Sequence, residues 1–487
     1  MMDFILEDII SALSPTEQIG DAGIAITDIQ IDSRLCKPGS VFFAISGPVG
    51  DGHLFIDKAI ANGAVAVICE KIPATITEGI TYCRFKDTQA ILAEGLNTLY
   101  RYPSEAVKLV GVTGTNGKTT TATLLYRLFT ALGYKAGLIS TVVNIVGTDE
   151  EEATHTTPGP VELFALLRQM ADAGCEYVFM EVSSHAVHQM RIKGITFAGG
   201  VFTNITRDHL DYHKTFDEYI RVKKTFFDML ESDAFALVNE DDRNGAVMVQ
   251  NSKASKHTFS VKSFSDFKCK IIESHFEGTQ LNICGADVWV NFIGEFNAYN
   301  LLAVYSTAIL LGQEKQEILA KLSTLYPVAG RFQQFVSPKG IIGIVDYAHT
   351  PDALSNVLDA IRGLRTGNEQ VITVVGCGGD RDPGKRPIMG RIAAEMSDRV
   401  IITADNPRSE DPLLIAEAMR AGVLPTHTAR VLSIIDRREA IRTAVMLAQS
   451  GDIVLIAGKG HENYQIVKGI KSHFDDKEVL TETFNTL

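Results

Sequence analysis

Gly111-Val-Thr-Gly-Thr-Asn-Gly-Lys-Thr-Thr120 is the most informative segment of this chain. An apolar run of strand length, beginning at Val107, precedes it, and apolar residues at helical spacing follow it. A glycine-rich turn between a strand and a helix presents backbone N–H groups that cradle phosphates. Lys118 can reach the β and γ phosphates of a nucleotide, and the Thr119 hydroxyl can hold Mg²⁺. Although Val112 replaces the first glycine of the general pattern G-x-x-x-x-G-K-[ST], this setting favours phosphate binding over a glycine turn without function.

Composition excludes several classes of protein. A length of 487 residues suggests about three domains. With 46 basic and 59 acidic residues the net charge is −13, and there is no basic tract, so we expect no nucleic-acid partner. The longest apolar run, residues 301–311, is too short to span a bilayer, and the N-terminus lacks the cations of a secretory signal. The 7 cysteines are scattered without a C-x-x-C pair, which is typical of reduced thiols in a cytoplasmic protein.

Strands alternating with helices predict an α/β fold with parallel sheets. We expect a small N-terminal α/β domain over residues 1–98 and a central domain over residues 99–331 built on a doubly wound parallel sheet that carries the phosphate loop (residues 111–120). A C-terminal Rossmann-like α/β domain should occupy residues 332–487. In the first of these, Ser33 and Arg34 could bind an anion, but a simple turn at a strand end explains them equally well.

Two segments of the central domain carry possible metal ligands. Glu181 ends a predicted strand over residues 176–182, and ligands lie at the carboxyl ends of such strands. A carboxylate at the end of a buried strand is costly unless it is paired, so a Mg²⁺ ligand is favoured over a surface carboxylate. The segment 206–213 is dense in polar residues, and Asp208 and Asp211 beside His209 favour a role for it in the same site.

A lysine interrupts the apolar face of the next predicted helix. Lys223 lies in the middle of that face, whereas Lys224 lies to its side, toward solvent. A lysine there can extend its amine to solvent, or it can be a reactive amine kept neutral by desolvation. A neutral amine can take up CO₂ to form a carbamate, which would supply an anionic oxygen ligand near a bound metal. The helical pattern leaves both interpretations open. The apolar face consists of Phe216, Tyr219, Ile220, Phe226, Phe227 and Leu230.

Four strand ends in the C-terminal region are followed by polar or glycine-rich loops, which predicts a second crevice of its own. The loop at 376–379 lacks G-x-G-x-x-G and a later acidic partner, so we do not read it as a dinucleotide site. Cys377 within it is the one cysteine that could be more than a core residue. The loops cover residues 346–351, 376–382, 405–408 and 458–462.

Together these segments resemble the Mur ligase family of bacterial cell-wall enzymes, over nearly the whole chain and in the family's order. The family's phosphate loop has the form G-x-x-G-T-N-G-K-T, as here, and its buried helix lysine, which matches Lys223, is carbamylated. The resemblance rests on residues 111–120, 180–185, 203–204, 208–209, 223, 294–300, 330–331, 346–351 and 458–462.

The resemblance implies roles for individual residues. Lys118, Lys223, Glu181 and His209 would be catalytic. Two Mg²⁺ ions would be held by Thr119, Glu181, His209 and Lys223 as its carbamate. ATP would be bound by Gly114, Thr115, Asn116, Gly117, Lys118, Thr119, Thr120, Asn297, Arg331 and Asp346. A UDP-sugar dipeptide would be bound by Ile31, Ser33, Thr156, Thr157, Ser183, Gln189 and Arg191, with a looser match at residues 48–50. The incoming amino acid would be read by Arg381, Asp405, Asn406, Pro407, Arg408, Gly458 and Glu462.

The resemblance also implies the reaction. It would be ATP-dependent addition of meso-2,6-diaminopimelate to the D-Glu γ-carboxylate of UDP-N-acetylmuramoyl-L-Ala-D-Glu through an acyl phosphate, in peptidoglycan precursor synthesis by a cytoplasmic monomer. Arg408 could clamp the second carboxylate of diaminopimelate, unless it pairs with Glu410 or Asp411. His349 is a candidate general base for the amine. The alternatives are a lysine-adding Mur ligase, a folylpolyglutamate-type ligase, a P-loop kinase and a nucleotide-sensing binding protein.

Overall fold

The structure, a computed structural model, describes residues 4–47 and 50–486. The strands are β1 (Phe4–Ile5), β2 (Glu17–Ile19), β3 (Ala25–Ile26), β4 (Asp28–Gln30), β5 (Ser40–Phe43), β6 (Ser46–Gly47), β7 (Gly50–Asp51), β8 (Ala64–Cys69), β9 (Thr81–Arg84), β10 (Lys108–Thr113), β11 (Ala136–Ile139), β12 (Val143–Val146), β13 (Asp149–Glu152), β14 (Tyr177–Glu181), β15 (Gly199–Phe202), β16 (Phe235–Asn239), β17 (Ser255–Ser260), β18 (Phe267–His275), β19 (Gly278–Ile283), β20 (Ala286–Val290), β21 (Gln333–Val336), β22 (Ile342–Asp346), β23 (Val371–Val375), β24 (Arg399–Ile402), β25 (Val431–Ser433), β26 (Ile453–Ala457), β27 (Tyr464–Val467) and β28 (Ile470–His473).

The helices are α1 (Leu6–Leu13), α2 (Ile56–Ala61), α3 (Thr88–Tyr100), α4 (Lys118–Ala131), α5 (Pro160–Asp172), α6 (Ser184–His188), α7 (Leu210–His213), α8 (Phe216–Asp228), α9 (Gly245–Met248), α10 (Glu295–Leu310), α11 (Lys315–Leu322), α12 (Pro351–Leu364), α13 (Lys385–Met396), α14 (Pro412–Arg420), α15 (Arg437–Leu447) and α16 (Asp476–Asn485). Within the described ranges, no helix is long and apolar enough to cross a membrane.

The chain divides into two compact units. The first consists of Met1–Val110 and Tyr134–Ala198, and the second of Gly111–Gly133 and Gly199–Leu487. The division passes through β10, so the phosphate loop belongs to the second unit. The boundary that we expect at residue 98 falls inside α3.

The first unit contains two larger sheet regions, besides the two-stranded pairs β1–β3 and β6–β7. In one of them, β4, β5, β8 and β9 are parallel neighbours and β2 pairs antiparallel to β9. In the other, β14 and β11 are parallel, and β12 and β13 extend the region as antiparallel strands. β4 ends at Gln30, because the Asp32 carboxylate accepts a bond from the Arg34 N–H and starts a 3-10 turn at Ser33.

The phosphate loop joins β10 to α4 in the second unit. β15, β16, β17 and β18 are parallel, and β18, β19 and β20 continue as antiparallel strands. The end of β10 lies beside β15, since the Thr203 N–H donates to the Thr113 carbonyl over 3.0 Å. This pairing brings the ends of β10 and β15 together, which is where the site is built.

The C-terminal region forms the second parallel sheet that the strand–helix alternation predicts. Its strand order is β21-β22-β26-β23-β24-β25, in which β21 alone pairs antiparallel. Helices α12, α13 and α14 pack on one face through a buried cluster that includes Leu358, Met389 and Met419. Helices α15 and α16 pack on the other face through Ile441 and Leu480. Helices on both faces bury the continuous apolar runs of β23 and β26, as in a doubly wound fold.

Candidate active site

The phosphate loop is held from the end of β15, by a stretch that we call the support segment (residues 203–206). The Thr115 N–H donates to the Asn204 carbonyl over 2.8 Å, and the Asn116 N–H donates to the Asn204 side chain over 3.0 Å. The Thr203 hydroxyl donates to the Asn116 carbonyl over 2.6 Å. A Cβ on Gly114 would collide with that hydroxyl, so the loop can approach the support segment this closely only with glycine there.

Two lysines converge on one carbonyl of the phosphate loop. Lys118 Nζ donates to the carbonyls of Gly114 and Thr115 over 2.9 and 3.0 Å. Lys223 Nζ donates to the same Gly114 carbonyl over 2.9 Å and approaches the Thr113 hydroxyl at 3.3 Å. Lys223 is 1% exposed, and burial, together with the charge of Lys118, holds the pKa of its amine well below the usual value. Lys223 is therefore buried as the helical pattern predicts.

The neighbouring lysine has a different partner. Lys224 Nζ makes an ion pair with Asp228 at 2.6 Å, and its side chain is 13% exposed, which is less than the helical pattern predicts. The burial of Lys223 does not by itself show a carbamate, which stays a prediction.

Tyr219 and Asp208 both interact with the Lys223 amine. The ring centre of Tyr219 lies 5.0 Å from Lys223 Nζ, and its hydroxyl is 3.2 Å from the Thr115 hydroxyl. Burial would raise the pKa of Asp208, but the charges of His209, His349 and Lys385 lower it to about 2. His209 Nε2 lies 3.4 Å from the Asp208 carboxylate. The Thr206 N–H donates to the Thr115 hydroxyl over 3.0 Å, so the segment 206–213 begins beside the phosphate loop, and its role in the site stays a prediction.

Of the predicted nucleotide residues from beyond residue 290, Arg331 contacts the phosphate loop. Arg331 Nη2 donates to the Thr119 hydroxyl over 3.2 Å, and its guanidinium lies 4.4 Å from the centre of the Tyr347 ring. Asp346 accepts a bond from the Phe332 N–H over 2.6 Å, and burial raises its pKa to about 6. Asn297 is buried at the start of α10.

Two further side-chain amides have defined partners, and one of them joins the phosphate loop to α12. The Asn297 amide donates to the Ile293 carbonyl over 2.8 Å, and the Asn116 amide donates to Asp352 at the start of α12 over 2.8 Å. A Cβ on Gly117 would lie 2.5 Å from the side-chain oxygen of Asn300, which explains the glycine. Arg331 therefore contacts Thr119, and Asn116 contacts the start of α12. Thr120 is buried in the first turn of α4.

Five of the predicted dipeptide-binding residues form a network with Glu181 in the first unit. The fully buried Glu181 accepts a bond from the Thr141 N–H over 2.7 Å, and its carbonyl accepts one from the Thr157 hydroxyl over 2.8 Å. Arg191 donates to the Thr157 carbonyl over 2.8 Å and to the Gln189 side chain over 2.6 Å. The remaining members are joined by bonds from Thr141 to Thr156 and from the Ser183 N–H to Thr157.

Ile31 and Ser33 lie apart from that network in sequence, at the end of β4. Ile31 is 36% exposed, whereas Ser33 is buried. Arg34 donates to Asp32 over 2.6 Å and is largely exposed, so the turn explains it without an anion. Residues 48 and 49 lie outside the described residues.

The loops at 405–408 and 458–462, which we call the amino-acid loops, meet at the ends of β24 and β26. The Asn406 amide donates to Glu462 over 2.7 Å, and Lys459 Nζ pairs with Glu462 at 3.0 Å. Burial and the charge of Asp405 raise the pKa of Glu462. A Cβ on Gly458 would lie 2.5 Å from the Asp405 carboxylate, which explains the glycine.

Arg408 is fixed by backbone contacts instead of an ion pair with its acidic neighbours. Its Nη1 donates to the Gly379 carbonyl over 2.8 Å, and its N–H donates to the Ile466 carbonyl over 3.0 Å. Glu410 pairs with Arg386 at 2.8 Å, and Asp411 caps α14. The surface ion pair considered for Arg408 is therefore wrong.

Two other loop residues have local contacts. Arg381 is exposed and bonds the Asp380 carbonyl, and the Pro407 carbonyl lies against Gly379. Cys377 is buried against Met389, and burial raises the pKa of its thiol to about 12, so it is a core residue.

The described residues contain no group of three acidic, cysteine or histidine side chains that could hold a metal alone. Mg²⁺ in nucleotide sites is bound through one or two protein oxygens together with substrate phosphates. The Thr119 hydroxyl beside the loop and the carboxylate of Glu181 are hard oxygen donors of that type. Taken separately, the Thr119 hydroxyl of the second unit and the Glu181 carboxylate of the first are each of the type that binds Mg²⁺ together with a nucleotide.

Several residues that shape the site were not predicted. The Asn239 amide donates to the Thr203 carbonyl over 2.9 Å, and Asp242 accepts a bond from the Ile205 N–H over 2.7 Å. Both hold the support segment. The polar run after the buried strand β16 is the same signal that drew attention to Glu181, and it could have identified them. Lys459, which is fully buried, was overlooked within a loop whose flanking residues were assigned.

A phosphate loop on one parallel sheet, followed by a second sheet whose loops hold a set of polar side chains, defines a class of nucleotide-dependent α/β enzymes. Three family models match the chain: Mur ligase family, catalytic domain, at residues 25–99; Mur ligase middle domain at 112–308; and Mur ligase, glutamate ligase domain, at 330–460. This chain belongs to the Mur ligase family.

Relatives agree with this assignment along the whole chain. The chain is 56% identical over 481 residues to the UDP-N-acetylmuramoyl-L-alanyl-D-glutamate--2,6-diaminopimelate ligase of Bacteroides thetaiotaomicron, which covers 99% of this chain and 100% of the relative. It is 57% identical over 479 residues to the ligase of that name from Phocaeicola vulgatus, with 98% and 99% covered. A solved structure of a protein with that name is 31% identical with a TM-score of 0.70, covering 100% of this chain and 99% of the other.

Proposed function

We propose that this chain is an ATP-dependent ligase that joins meso-2,6-diaminopimelate to the D-Glu γ-carboxylate of UDP-N-acetylmuramoyl-L-Ala-D-Glu, in the synthesis of peptidoglycan precursors. The observation that carries the proposal is the full-length similarity to two ligases of that name at more than half identity. The contacts described above support individual steps. The proposal includes a cytoplasmic monomer, which agrees with the free thiols of the seven cysteines.

In the first step the γ-carboxylate attacks the γ-phosphorus of ATP, and an acyl phosphate and ADP result. Lys118 and the N–H groups of the phosphate loop would bind the phosphates and stabilise the charge that develops on them. Arg331, which contacts Thr119, would add a second cation from the other side. Asn297 and Asp346 would contact the nucleoside, and Gly114 to Thr120 the phosphates.

Thr119, Glu181, His209 and a carbamate on Lys223 would hold or position Mg²⁺. The ion, when bound, supplies charge neutralisation at the β and γ phosphates. A neutral Lys223 amine can add to CO₂ and release one proton, which leaves an anionic carbamate. The burial that lowers the pKa of Lys223 supports this part of the proposal, because only an unprotonated amine reacts.

In the second step the amine of diaminopimelate attacks the acyl carbon, phosphate leaves, and the amine gives up its proton. His349 is the candidate base. Its Nδ1 lies 2.8 Å from the Tyr347 carbonyl, which makes Nδ1 the donor and leaves Nε2 as the acceptor. Burial and the charge of Lys385 lower the pKa of His349 to about 4, so the ring is neutral at pH 7.

The amino-acid loops would bind diaminopimelate, and the network around Glu181 would bind the UDP-sugar dipeptide. Arg408 would clamp the second carboxylate, which lysine lacks. Its fixed position at Gly379 and Ile466 supports a role in recognition, because a guanidinium held in one place discriminates between ligands at low entropic cost. Ile31, Ser33, Thr156, Thr157, Ser183, Gln189 and Arg191 would form the dipeptide site, and Arg381, Asp405, Asn406, Pro407, Gly458 and Glu462 would complete the amino-acid site.

Phosphate release with ATP, Mg²⁺ and UDP-N-acetylmuramoyl-L-Ala-D-Glu tests the proposal when meso-diaminopimelate is compared with L-lysine. We expect turnover with diaminopimelate and little with lysine. Turnover with lysine alone would keep the ligase but reject the substrate assignment. Turnover with neither, together with activity on a folate or on a hydroxyl acceptor, would reject the proposal in favour of a folylpolyglutamate-type ligase or a kinase.

A further inference from the structure

One ion pair in the C-terminal sheet is completely buried. The side chains of Arg437, at the start of α15, and Asp476, at the start of α16, are both 0% exposed. Arg437 Nε and Nη2 donate to the two carboxylate oxygens of Asp476, each over 2.7 Å. The pair is therefore bidentate, which fixes the plane of the guanidinium.

The remaining donors of Arg437 point to the backbone under the amino-acid loops. Nη2 donates to the Ala457 carbonyl over 3.1 Å, and Nη1 approaches the Ala404 carbonyl at 3.4 Å. These are the residues directly before Gly458 and Asp405. Ala457 ends β26, and Ala404 follows the end of β24 by two residues; the two strands are separated by β23 and share no ladder of their own. One planar cation thus spans the ends of two strands that backbone bonds do not join.

Arg437 also interacts electrostatically with the carboxylates of the amino-acid loops. The carboxylates of Asp405 and Glu462 act electrostatically on the guanidinium, in addition to Asp476. Asp405 and Glu462 themselves are close enough to repel each other. A buried cation behind them offsets that repulsion.

We propose that Arg437, oriented by Asp476, is a positioning residue that sets the separation of the two amino-acid loops and thereby the binding of the incoming amino acid. The identity of that amino acid rests on the proposed function. Stability alone is a poor explanation for the pair, because a buried ion pair replaced by apolar residues of similar volume often leaves stability unchanged or raises it.

That property supplies the test. The double variant Arg437→Met with Asp476→Leu should fold, with a thermal midpoint close to that of the unaltered protein, but it lacks the donors to Ala404 and Ala457. We expect its KM for diaminopimelate to rise about tenfold or more, because small displacements of binding groups are costly, while its KM for ATP changes less than about twofold. Arg437→Lys, which keeps a buried cation without the planar fork, should raise the same KM by a smaller factor.

The matched control is the next ion pair between the same two helices. Arg438 pairs with Glu482 at 2.8 Å, and both side chains are exposed. Arg438→Met with Glu482→Leu should leave both KM values unchanged.

An unchanged KM for diaminopimelate in either folded Arg437 variant overturns the inference. Equal changes in both KM values do so as well, since they indicate a general structural role. Failure of the unaltered protein to use diaminopimelate overturns the proposed function instead, and substrate-independent ATP binding then shows that the protein was intact.

Discussion

The phosphate-loop region and the amino-acid loops differ in how their charges are balanced. At the phosphate loop, Lys118 and Lys223 both donate to the Gly114 carbonyl, and neither contact is with a carboxylate. At the amino-acid loops each buried cation meets a carboxylate: Lys459 pairs with Glu462 and Arg437 with Asp476. The first region is shaped for ligands that carry net negative charge, and the second for a zwitterion that needs donors and acceptors together.

The difference explains how the two regions are stiffened. Bonds from the support segment hold the phosphate loop through its backbone, and Lys118 donates to two carbonyls of that loop. In the amino-acid loops the charged side chains are themselves part of the scaffold. Substitutions at the phosphate loop should therefore reduce turnover, whereas substitutions at the amino-acid loops should change substrate preference.

The largest effect is expected at Lys223. Lys223→Ala should lower turnover by about 10²-fold to 10³-fold, because it removes a charge-stabilising group from a desolvated site. Lys224→Ala is the matched control on the adjacent residue and should change turnover by less than about twofold, since the Lys224 amine pairs with Asp228 within the same helix. Steady-state phosphate release measures both.

A carbamate makes a further difference testable. Isotopically labelled bicarbonate should give a carbamate signal in the unaltered protein and in Lys224→Ala, but none in Lys223→Ala. Recovery of Lys223→Ala by bicarbonate would contradict the carbamate, because alanine has no amine to modify.

Arg408 should give the next largest effect, on selectivity. Arg408→Ala should lower kcat/KM for diaminopimelate by about 10²-fold, in line with the loss of a charge-assisted bidentate contact, and leave the KM for ATP unchanged. Arg391→Ala, which removes an exposed arginine paired with Glu395 on α13, is the control. Equal loss of activity with diaminopimelate and lysine would show that Arg408 does not read the second carboxylate.

The sequence predicts local features of both regions better than it predicts the contacts between distant segments. The strand ends and loops, including the bounds of β23 and β26, followed from local apolar runs, and the burial of Lys223 followed from helical periodicity. Contacts between distant segments carry no such local pattern. Asp352 meets Asn116 across 236 residues, and Arg437 meets Asp476 in the core of a sheet whose order the sequence alone does not reveal. The turn at a strand end that was considered for Ser33 and Arg34 agrees with the structure, because a side-chain bond to Asp32 competes with strand pairing there.

A moderate effect is expected from the residues behind the support segment. Asp242→Ala removes the acceptor of the Ile205 N–H, which should let the segment and the phosphate loop shift. We expect the KM for ATP to rise about tenfold and the KM for diaminopimelate to stay unchanged. Asp228→Ala is a suitable control, because that carboxylate pairs only outward with Lys224 among the bonds described for it. A change in the KM for diaminopimelate alone would contradict the separation of the two regions.

The smallest effect, on stability and nucleotide binding, is expected at Asp346, which lies between the residues near Arg331 and the amino-acid loop at Gly458. Burial raises its pKa from 3.8 to about 6, so the folded protein holds a proton that the unfolded chain has released between those pH values. Its contribution to stability is therefore present below pH 3.8 and is lost as the pH rises through about 6. Asp346→Asn resembles the protonated form and can still accept the bond from Phe332. The variant should have a higher thermal midpoint than the unaltered protein at pH 7.5, and the gap should close as the pH falls toward 4.

The same substitution should weaken nucleotide binding a few-fold at pH 7.5, because an ionised carboxylate accepts hydrogen bonds more strongly than an amide. The unaltered protein should lose that advantage below about pH 6, where Asp346 becomes protonated, whereas the variant should show no such step. Thermal unfolding and ADP titration across this range measure the two effects independently. A midpoint that falls in the variant at pH 7.5 would mean that the ionised carboxylate, through its attraction to Arg331, stabilises the junction more than its burial costs.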